Sequence, residues 1–167
     1  MYFSTQFPSP LGMITLVCDD NALVALRLPG QSPFHQDATP VSPGEHPILR
    51  QSAQWLERYF DKERPDSHEI SLNPKGTPFQ KTVWQLLLEI PYGQTATYGE
   101  LARTAAVILG KPRMSAQSVG QAVGANPIAI IIPCHRCLGA GRKLTGYAGG
   151  LHLKRTLLER EEIRYTE

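Results

Sequence analysis

The pattern of apolar residues changes near residue 75, and this change limits the folds that are open to the chain. Before that point, the runs "YFSTQF", "MITLVCD" and "ALVALRL" are rich in β-branched residues, partly alternate and are separated by turn residues. These runs predict a meander of short antiparallel strands. After residue 76 the apolar residues recur at helical spacing, so we expect two domains of different architecture.

Two more kinds of segment complete the first half of the chain. Residues 29–46 are rich in Pro, Ser and Gly, which predicts a loop, and the apolar residues of 47–60 predict an amphipathic helix. The stretch "HEISLNPKG" predicts a short strand and an exit from the domain. We therefore expect an N-terminal α/β domain at residues 1–75 and a C-terminal domain at residues 76–167.

The second half contains three predicted helices. Pro78 favours the start of a helix that ends before Pro91, because proline in the first turn loses only an amide without a helical partner. Thr97-Tyr98-Gly99-Glu100 matches a capping box, in which the hydroxyl and the carboxylate each satisfy an unpaired amide. The helix that it opens extends to about Leu109, and another covers residues 115–125. Two short helices joined by a tight turn predict a helix-turn-helix.

Charge is distributed unevenly between the two halves. Residues 1–75 carry 6 Lys+Arg and 9 Asp+Glu, whereas residues 76–167 carry 11 Lys+Arg and 6 Asp+Glu. No acidic residue lies between Glu100 and Glu159. A basic surface next to a helix-turn-helix predicts binding to DNA. The second helix of the pair carries small residues that would allow close approach to a minor groove, although the pattern leaves the choice of groove open.

The stretch "ANPIAIIIPCHRC" places a thiol between an apolar run and two basic side chains. Cys134 is followed by His135 and Arg136, and then by Cys137. Four interpretations are open: a structural cysteine, part of a zinc site, a redox Cys-x-x-Cys pair and a nucleophilic thiolate. The chain offers no further ligands at zinc-like spacing and no thioredoxin-like unit. Cationic neighbours and a dry apolar wall favour the nucleophile.

Composition excludes several classes of protein. No run approaches the roughly 20 apolar residues that span a bilayer. The N-terminus has neither the basic region nor the apolar region of a secretory signal. Three cysteines cannot pair completely, so we expect reduced thiols in a cytoplasmic protein. We expect no metal site and no cofactor.

The second half resembles the O6-alkylguanine-DNA alkyltransferases, also called methylated-DNA–protein-cysteine methyltransferases. The resemblance covers about residues 77–161 and is carried by "TPFQKTVWQLLLEIPYGQTATYGELA", "NPIAIIIPCHR" and "KLTGYAGG". The first half is similar to the family only in length and pattern. The resemblance implies an α+β fold: an N-terminal α/β domain of ribonuclease-H-like topology with a small antiparallel sheet, and a C-terminal helical domain of winged-helix type.

The resemblance also implies DNA repair by direct reversal. The chain would bind double-stranded DNA through its helix-turn-helix in the minor groove and flip the damaged base into a pocket. The alkyl group of O6-methylguanine, and of O4-methylthymine as well, would then pass to Cys134. Because the resulting thioether is not hydrolysed, each molecule would react once. We expect a monomer with no membrane partner.

The same resemblance assigns catalytic roles to five residues. Cys134 is the alkyl acceptor, His135 removes its proton through a water molecule, and Glu161 orients His135. Tyr98 assists rotation of the nucleotide and donates a hydrogen bond to the base. Lys154 helps to neutralise the guanine oxygen as it departs.

A second group of residues is implied in binding the base and the DNA. Asn126 would hold the turn between the recognition helix and the active site. Tyr147 and Ala148 would line the pocket, and the carbonyls of Cys134 and Cys137 would accept from the exocyclic amine. The residues implied at the DNA interface are Gln117, Ser118, Gly120, Gln121 and Arg136.

Two positions depart from the family pattern. Gln117 stands where the family has an arginine that fills the gap left by the flipped base, and glutamine brings no charge. We expect weaker DNA binding for this reason, partly compensated by Arg113 one turn earlier. Cys137 stands where the family often has an apolar β-branched residue, which permits oxidative pairing with Cys134.

Two other functions are weighed against alkyl transfer. Alkyltransferase-like proteins bind lesions without transfer, but they replace the cysteine that this chain retains as Cys134. A winged-helix transcription factor would not need the pocket segment "TGYAGG". Both features favour the alkyltransferase.

Overall fold

A four-stranded sheet forms the centre of the first of two compact units. In the computed structural model, which describes residues 1–167, this unit comprises Met1–Lys75 and Pro127–Ala129, and the second comprises Gly76–Asn126 and Ile130–Glu167. The strands follow the order β3-β2-β1-β4. Their bounds are β1 (Phe3–Ser9), β2 (Gly12–Cys18), β3 (Leu23–Arg27) and β4 (Thr39–Pro40).

The predicted meander is present in β1, β2 and β3, which pair in antiparallel fashion. Gly12 closes the first hairpin with a φ of 115°, which L side chains rarely adopt. Helix α1 (Pro47–Phe60) has the predicted bounds and packs on this sheet. Its N-cap residue is His46, whose ring nitrogen Nδ1 accepts a hydrogen bond from the Ile48 amide at 3.1 Å.

Two expectations for this unit are wrong. The sheet is mixed, because residues of the expected loop 29–46 form β4 parallel to β1. The Thr39 amide donates to the Tyr2 carbonyl at 2.9 Å, so this segment is held by main-chain bonds that its composition does not reveal. The stretch 68–76 forms no regular strand, and contributes only one bridge between Leu72 and Leu23.

The outer edge of β3 is completed by residues that lie far along the chain. The Leu26 amide donates to the Pro127 carbonyl at 2.9 Å, and the Ala129 amide donates to the Leu26 carbonyl at 3.3 Å. Leu26 and Ile128 thereby form a parallel bridge. The first unit therefore includes a short segment outside the expected range 1–75.

The second unit is mainly helical. Its elements are α2 (Pro78–Leu88), β5 (Ala96–Thr97), α3 (Tyr98–Ile108), α4 (Ala116–Gly124), β6 (Cys137–Leu138) and α5 (Leu151–Arg160), with β5 and β6 paired in parallel. The three helices predicted for residues 78–125 are all present. None of the helices combines the length and the apolarity needed to cross a bilayer.

The helix starts differ from the sequence prediction in one respect. Helix α2 begins with a full capping box, in which Thr77 and Gln80 exchange side-chain to main-chain hydrogen bonds of 3.1 and 2.9 Å. Pro78 indicated this helix start from the sequence, but the box formed by Thr77 and Gln80 was not predicted. At α3, where a box was predicted, the structure shows only the threonine half: Thr97 Oγ1 accepts from the Glu100 amide at 3.1 Å.

The helix-turn-helix of α3 and α4 is held in place by α2. The Trp84 indole Nε1 donates to the Ala122 carbonyl at 2.8 Å, and the indole is buried. Small buried residues on α3 and α4, such as Ala105 and Val119, let the two helices pack closely. One face of α4 is thereby fixed and the opposite face is left exposed.

Candidate active site

The segment that follows α4 forms a buried and strained turn. Ile130 has a φ of 68°, which is rare for a β-branched residue. The Asn126 side chain is buried and donates from Nδ2 to the Ile132 carbonyl at 2.9 Å. Backbone strain persists only where surrounding contacts hold it. Asn126 is one such contact, and it fixes the chain two residues before Cys134.

Cys134 begins a 3-10 turn, Cys134–Arg136, and only 5% of the residue is exposed. Its Sγ lies 3.8 Å from the Tyr147 hydroxyl oxygen. Burial raises the pKa of the Cys134 thiol, while hydrogen bonds to Asn126 and Tyr147 and the charge of Lys154 act in the opposite direction. The thiol is therefore protonated near neutral pH.

His135 and Glu161 form a fully buried pair in which Nε2 lies 2.5 Å from Oε2. Burial alone would raise the pKa of Glu161, but His135 and Arg136 hold this pKa well below its usual range. Burial also lowers the pKa of His135. An ionised carboxylate can only accept, so Nε2 carries the proton of a neutral imidazole. The basic lone pair then lies on Nδ1, which is buried without a hydrogen-bond partner in the protein.

Arg136, which the family resemblance implied at the DNA interface, occupies a different position. Its guanidinium is buried and donates from Nε to Glu161 Oε1 at 2.8 Å and from Nη2 to Glu161 Oε2 at 3.2 Å. Nη1 donates to the Ile90 carbonyl at 2.7 Å. These bonds commit the side chain to Glu161, so it cannot contact a phosphate at the surface.

Lys154 is fully buried and has no carboxylate partner. Its Nζ donates to the Cys137 carbonyl at 2.8 Å and lies 3.4 Å from the Gly146 carbonyl oxygen. Burial lowers the pKa of Lys154, and the Cys137 and Cys134 thiols act against this shift. A buried cation without an anion is costly, and in Lys154 the hydrogen bonds to these carbonyl oxygens offset part of that cost.

Tyr98 closes the same polar cluster from the start of α3. Its hydroxyl lies 3.0 Å from Thr145 Oγ1, and Thr145 Oγ1 lies 3.5 Å from Lys154 Nζ. Burial raises the pKa of Tyr98 to about 12, so the hydroxyl keeps its proton at neutral pH. Burial likewise raises the pKa of Cys137 to about 12, which leaves Cys137 a neutral thiol.

The implied DNA-contacting residues, apart from Arg136, lie on α4. Gln117 and Gln121 are exposed, while Ser118 and Gly120 are half-buried. Ser118 is also part of the helix cap, because its amide donates to Ser115 Oγ at 3.0 Å. The structure thus places the implied DNA-contacting residues on α4. It places four other predicted residues in a separate polar cluster: Cys134, Tyr147, Tyr98 and Lys154.

Two residues of the site were missed by the sequence analysis. The Gly93 amide donates to Glu161 Oε1 at 3.1 Å, in a turn where the Gln94 amide donates to the Pro91 carbonyl. Gly93 has a φ of 80°, and the Pro-x-Gly pattern could have indicated this turn. Thr145 was quoted within the pocket segment but was given no role, and no local pattern indicates one.

Comparisons with known proteins cover both units. Residues 1–74 match the family model described as "6-O-methylguanine DNA methyltransferase, ribonuclease-like domain", and residues 78–163 match "6-O-methylguanine DNA methyltransferase, DNA binding domain". The methylated-DNA--protein-cysteine methyltransferase of Haemophilus influenzae is 39% identical over 99% of this chain and 89% of its own length. That of Methanosarcina acetivorans is 44% identical, with 96% and 98% covered.

A solved structure is similar over nearly the whole chain. The crystal structure of Mycobacterium tuberculosis OGT in complex with DNA has a TM-score of 0.80 and 40% identity, and covers 98% of this chain and 95% of that one. This similarity confirms the α+β fold class, with a ribonuclease-like first half and a helical DNA-binding second half. The chain belongs to the methylated-DNA–protein-cysteine methyltransferase family.

Proposed function

We propose that this protein repairs alkylated DNA by direct reversal, with Cys134 as the single-use acceptor of the alkyl group. The observation that carries the proposal is the position of Cys134 next to His135, a neutral base held by an ionised, fully buried Glu161. A structural cysteine would need no such neighbour. The family membership of the chain supports the reaction class, and DNA is its partner.

The proton of the thiol leaves first. In this mechanism His135 Nδ1 accepts it through a bridging water, and Glu161 stabilises the imidazolium that forms. The Cys134 thiolate then attacks the alkyl carbon, a carbon–sulfur bond forms, and the bond from that carbon to guanine O6 breaks. The electron pair stays on the guanine, which takes up one proton, so the products are a thioether and an unmodified base.

Tyr98 and Lys154 act on the departing base. The Tyr98 hydroxyl, which is protonated at neutral pH, donates a hydrogen bond to the base, and the Lys154 ammonium offsets negative charge as it develops. Tyr147 and the Ala148 amide line the pocket near O6. The carbonyls of Cys134 and Cys137 accept from the exocyclic amine.

The Cys137 carbonyl can serve two donors at once. It already accepts from Lys154 Nζ at 2.8 Å, and a carbonyl oxygen has a second lone pair. The same atom therefore connects base recognition with the cation that assists the leaving group. We assign O6-methylguanine as the main lesion and O4-methylthymine as a second one.

The exposed face of α4 would enter the minor groove of duplex DNA. Its small residues, including the exposed Gly124, permit close approach, and Gln117 and Gln121 supply hydrogen bonds. Asn126 transmits the position of α4 to the cysteine turn through its bond to Ile132. We assign residues 76–167 to DNA binding and catalysis, residues 1–75 to the N-terminal domain, and the active form to a cytoplasmic monomer.

Intact-mass spectrometry tests the proposal. The protein is incubated with a duplex that carries one O6-methylguanine, and each chain is expected to gain one methyl group, mapped to Cys134. Cys134→Ser should gain none, whereas Cys18→Ser, which changes a buried strand residue of the other unit, should react like the wild type. Binding of the methylated duplex without any gain in mass would instead identify a lesion-binding protein.

A further inference from the structure

Thr145 occupies a position between two side chains of the proposed site. It follows a short bridge between Gly139 and Lys143, in which the Gly139 amide donates to the Lys143 carbonyl at 2.8 Å. A Cβ placed on Gly139 would lie only 3.0 Å from the Thr145 methyl carbon, so that methyl group packs directly against Gly139. With the methyl group held against Gly139, the Thr145 hydroxyl is directed toward the Tyr98 hydroxyl and Lys154 Nζ.

The hydrogen bonds around Thr145 favour one direction of donation. Lys154 is an ammonium donor, so Thr145 Oγ1 accepts from it at 3.5 Å. Thr145 Oγ1 also lies 3.0 Å from the Tyr98 hydroxyl oxygen, and the geometry allows either oxygen to be the donor. An acceptor that is already polarised by a cation is a better proton donor. The favoured direction is therefore from Lys154 to Thr145 to Tyr98.

We propose that Thr145 is a positioning residue for alkyl transfer: its hydroxyl donates to Tyr98 and leaves the Tyr98 proton free to point at the flipped base. The inference rests on the proposed role of Tyr98. Without this donor, the Tyr98 proton can turn toward the Cys137 side chain, with which the Tyr98 hydroxyl also interacts, and is lost to the base. Thr145 itself does not touch the reacting atoms.

The environment of Tyr98 supports this direction. Burial raises the pKa of Tyr98, and the hydrogen bond from Thr145 has the opposite, smaller effect on this pKa. A hydroxyl that accepts a hydrogen bond from such a chain is a stronger donor to its next partner. Lys154 Nζ lies over the Tyr98 ring, 6.0 Å from its centre, and Thr145 adds a hydrogen-bonded link between the Lys154 ammonium and the Tyr98 hydroxyl.

Substitution of Thr145 separates the hydroxyl from the packing. Thr145→Val keeps the shape and removes the hydroxyl, while Thr145→Ser keeps the hydroxyl and removes the methyl group. Thr156→Val is the matched control, because the Thr156 hydroxyl bonds only to the His152 carbonyl within α5. The assay measures transfer from labelled O6-methylguanine duplex with protein in excess, which gives a maximal rate constant and a half-saturating protein concentration.

Thr145→Val is expected to lower the maximal rate constant roughly tenfold with an unchanged half-saturating concentration, as for the loss of one functional hydrogen bond. Thr145→Ser and Thr156→Val should stay within about twofold of the wild type. In a Tyr98→Phe background, Thr145→Val should cause no further decrease, because the hydroxyl that it positions is absent. A purely structural residue would add its own loss in that background.

Three outcomes would overturn the inference. These are a wild-type maximal rate for Thr145→Val, an equal loss in Thr145→Ser, and a full additional loss on top of Tyr98→Phe. Failure of the wild-type protein itself to accept the label would be a different result, because it would refute the proposed function and the role of Thr145 with it. Thermal melting of each variant identifies a loss of rate that arises from unfolding.

Discussion

Replacing Glu161 by glutamine removes the charge around which the buried cluster is arranged, while it keeps the shape of the side chain. In the native protein the carboxylate accepts from His135 Nε2, from the Arg136 guanidinium and from the Gly93 amide. The Glu161 side chain has an exposure of 0%. Glutamine leaves Arg136 as a buried cation without an anion. The main expected effect is therefore on stability, before any effect on transfer.

The size of this effect follows from the burial of the pair. Loss of one partner of a buried ion pair destabilises a protein by about 3–5 kcal/mol. With a urea dependence of about 1–3 kcal/mol per M, the unfolding midpoint is expected to fall by roughly 2 M. Circular dichroism in urea at neutral pH measures the midpoint.

An exposed ion pair provides the matched control. Arg155 and Glu167 lie 2.7 Å apart, with side chains 39% and 64% exposed. Glu167→Gln makes the same chemical change in this pair and should cost at most about 1 kcal/mol. A loss in Glu161→Gln no greater than that in Glu167→Gln would refute the buried charge balance.

The pH dependence of stability gives an independent check on the same carboxylate. The folded pKa of Glu161 lies below its ordinary value of 4.5, so its contribution to stability is complete above 4.5 and is lost as pH falls toward the folded pKa. The native protein should therefore lose stability more steeply below pH 4.5 than Glu161→Gln does. Parallel curves for the two proteins below that pH would contradict the assignment.

Two further predictions concern the thiol and the DNA-binding helix. Burial raises the pKa of Cys134 above its ordinary value of 9.0, so alkylation of this residue by iodoacetamide, followed by peptide mapping without DNA, should still accelerate as pH rises past 9.0. A rate that levels off near neutral pH would indicate a preformed thiolate. Gln117→Arg adds a cation on the exposed face of α4, and should raise duplex affinity and steepen its salt dependence by about one charge. Equal affinity by fluorescence anisotropy would discard the expectation that Gln117 weakens binding.

Local sequence patterns predicted the elements that depend on local physics. The meander follows from alternating side chains, and the helices at 47–60 and 78–125 follow from apolar spacing together with prolines and threonines at their starts. Strand β4 could not be predicted, because Thr39 and Pro40 have no strand pattern and are ordered by main-chain bonds to β1. Residues 127–129 pair with β3 although the two segments lie about 100 residues apart in the sequence, and no local pattern encodes such a contact.

The site was predictable to the extent that a motif carries it. The segment "PCHR" indicated Cys134 and His135, and the resemblance implied Glu161 and Lys154. The resemblance implied Arg136 at the DNA interface, whereas the structure buries its guanidinium against Glu161. Its true partner is 25 residues away, and only the folded chain brings the guanidinium onto Glu161.

The burial of Arg136 also explains how the site can hold a neutral base next to a carboxylate. Glu161 raises the pKa of His135, and alone it would favour an imidazolium with no lone pair left to accept the thiol proton. Burial lowers the pKa of His135, and the Arg136 charge lowers it further while satisfying Glu161. Arg136 therefore balances the charge of Glu161, and the carboxylate does not need a proton from His135. His135 keeps Nδ1 unprotonated. Lys154 remains the one buried cation near Cys134 without an anionic partner. Ionisation of the Cys134 thiol supplies the anion that Lys154 lacks. The charge balance that keeps His135 neutral therefore also stabilises the thiolate once the thiol proton has left.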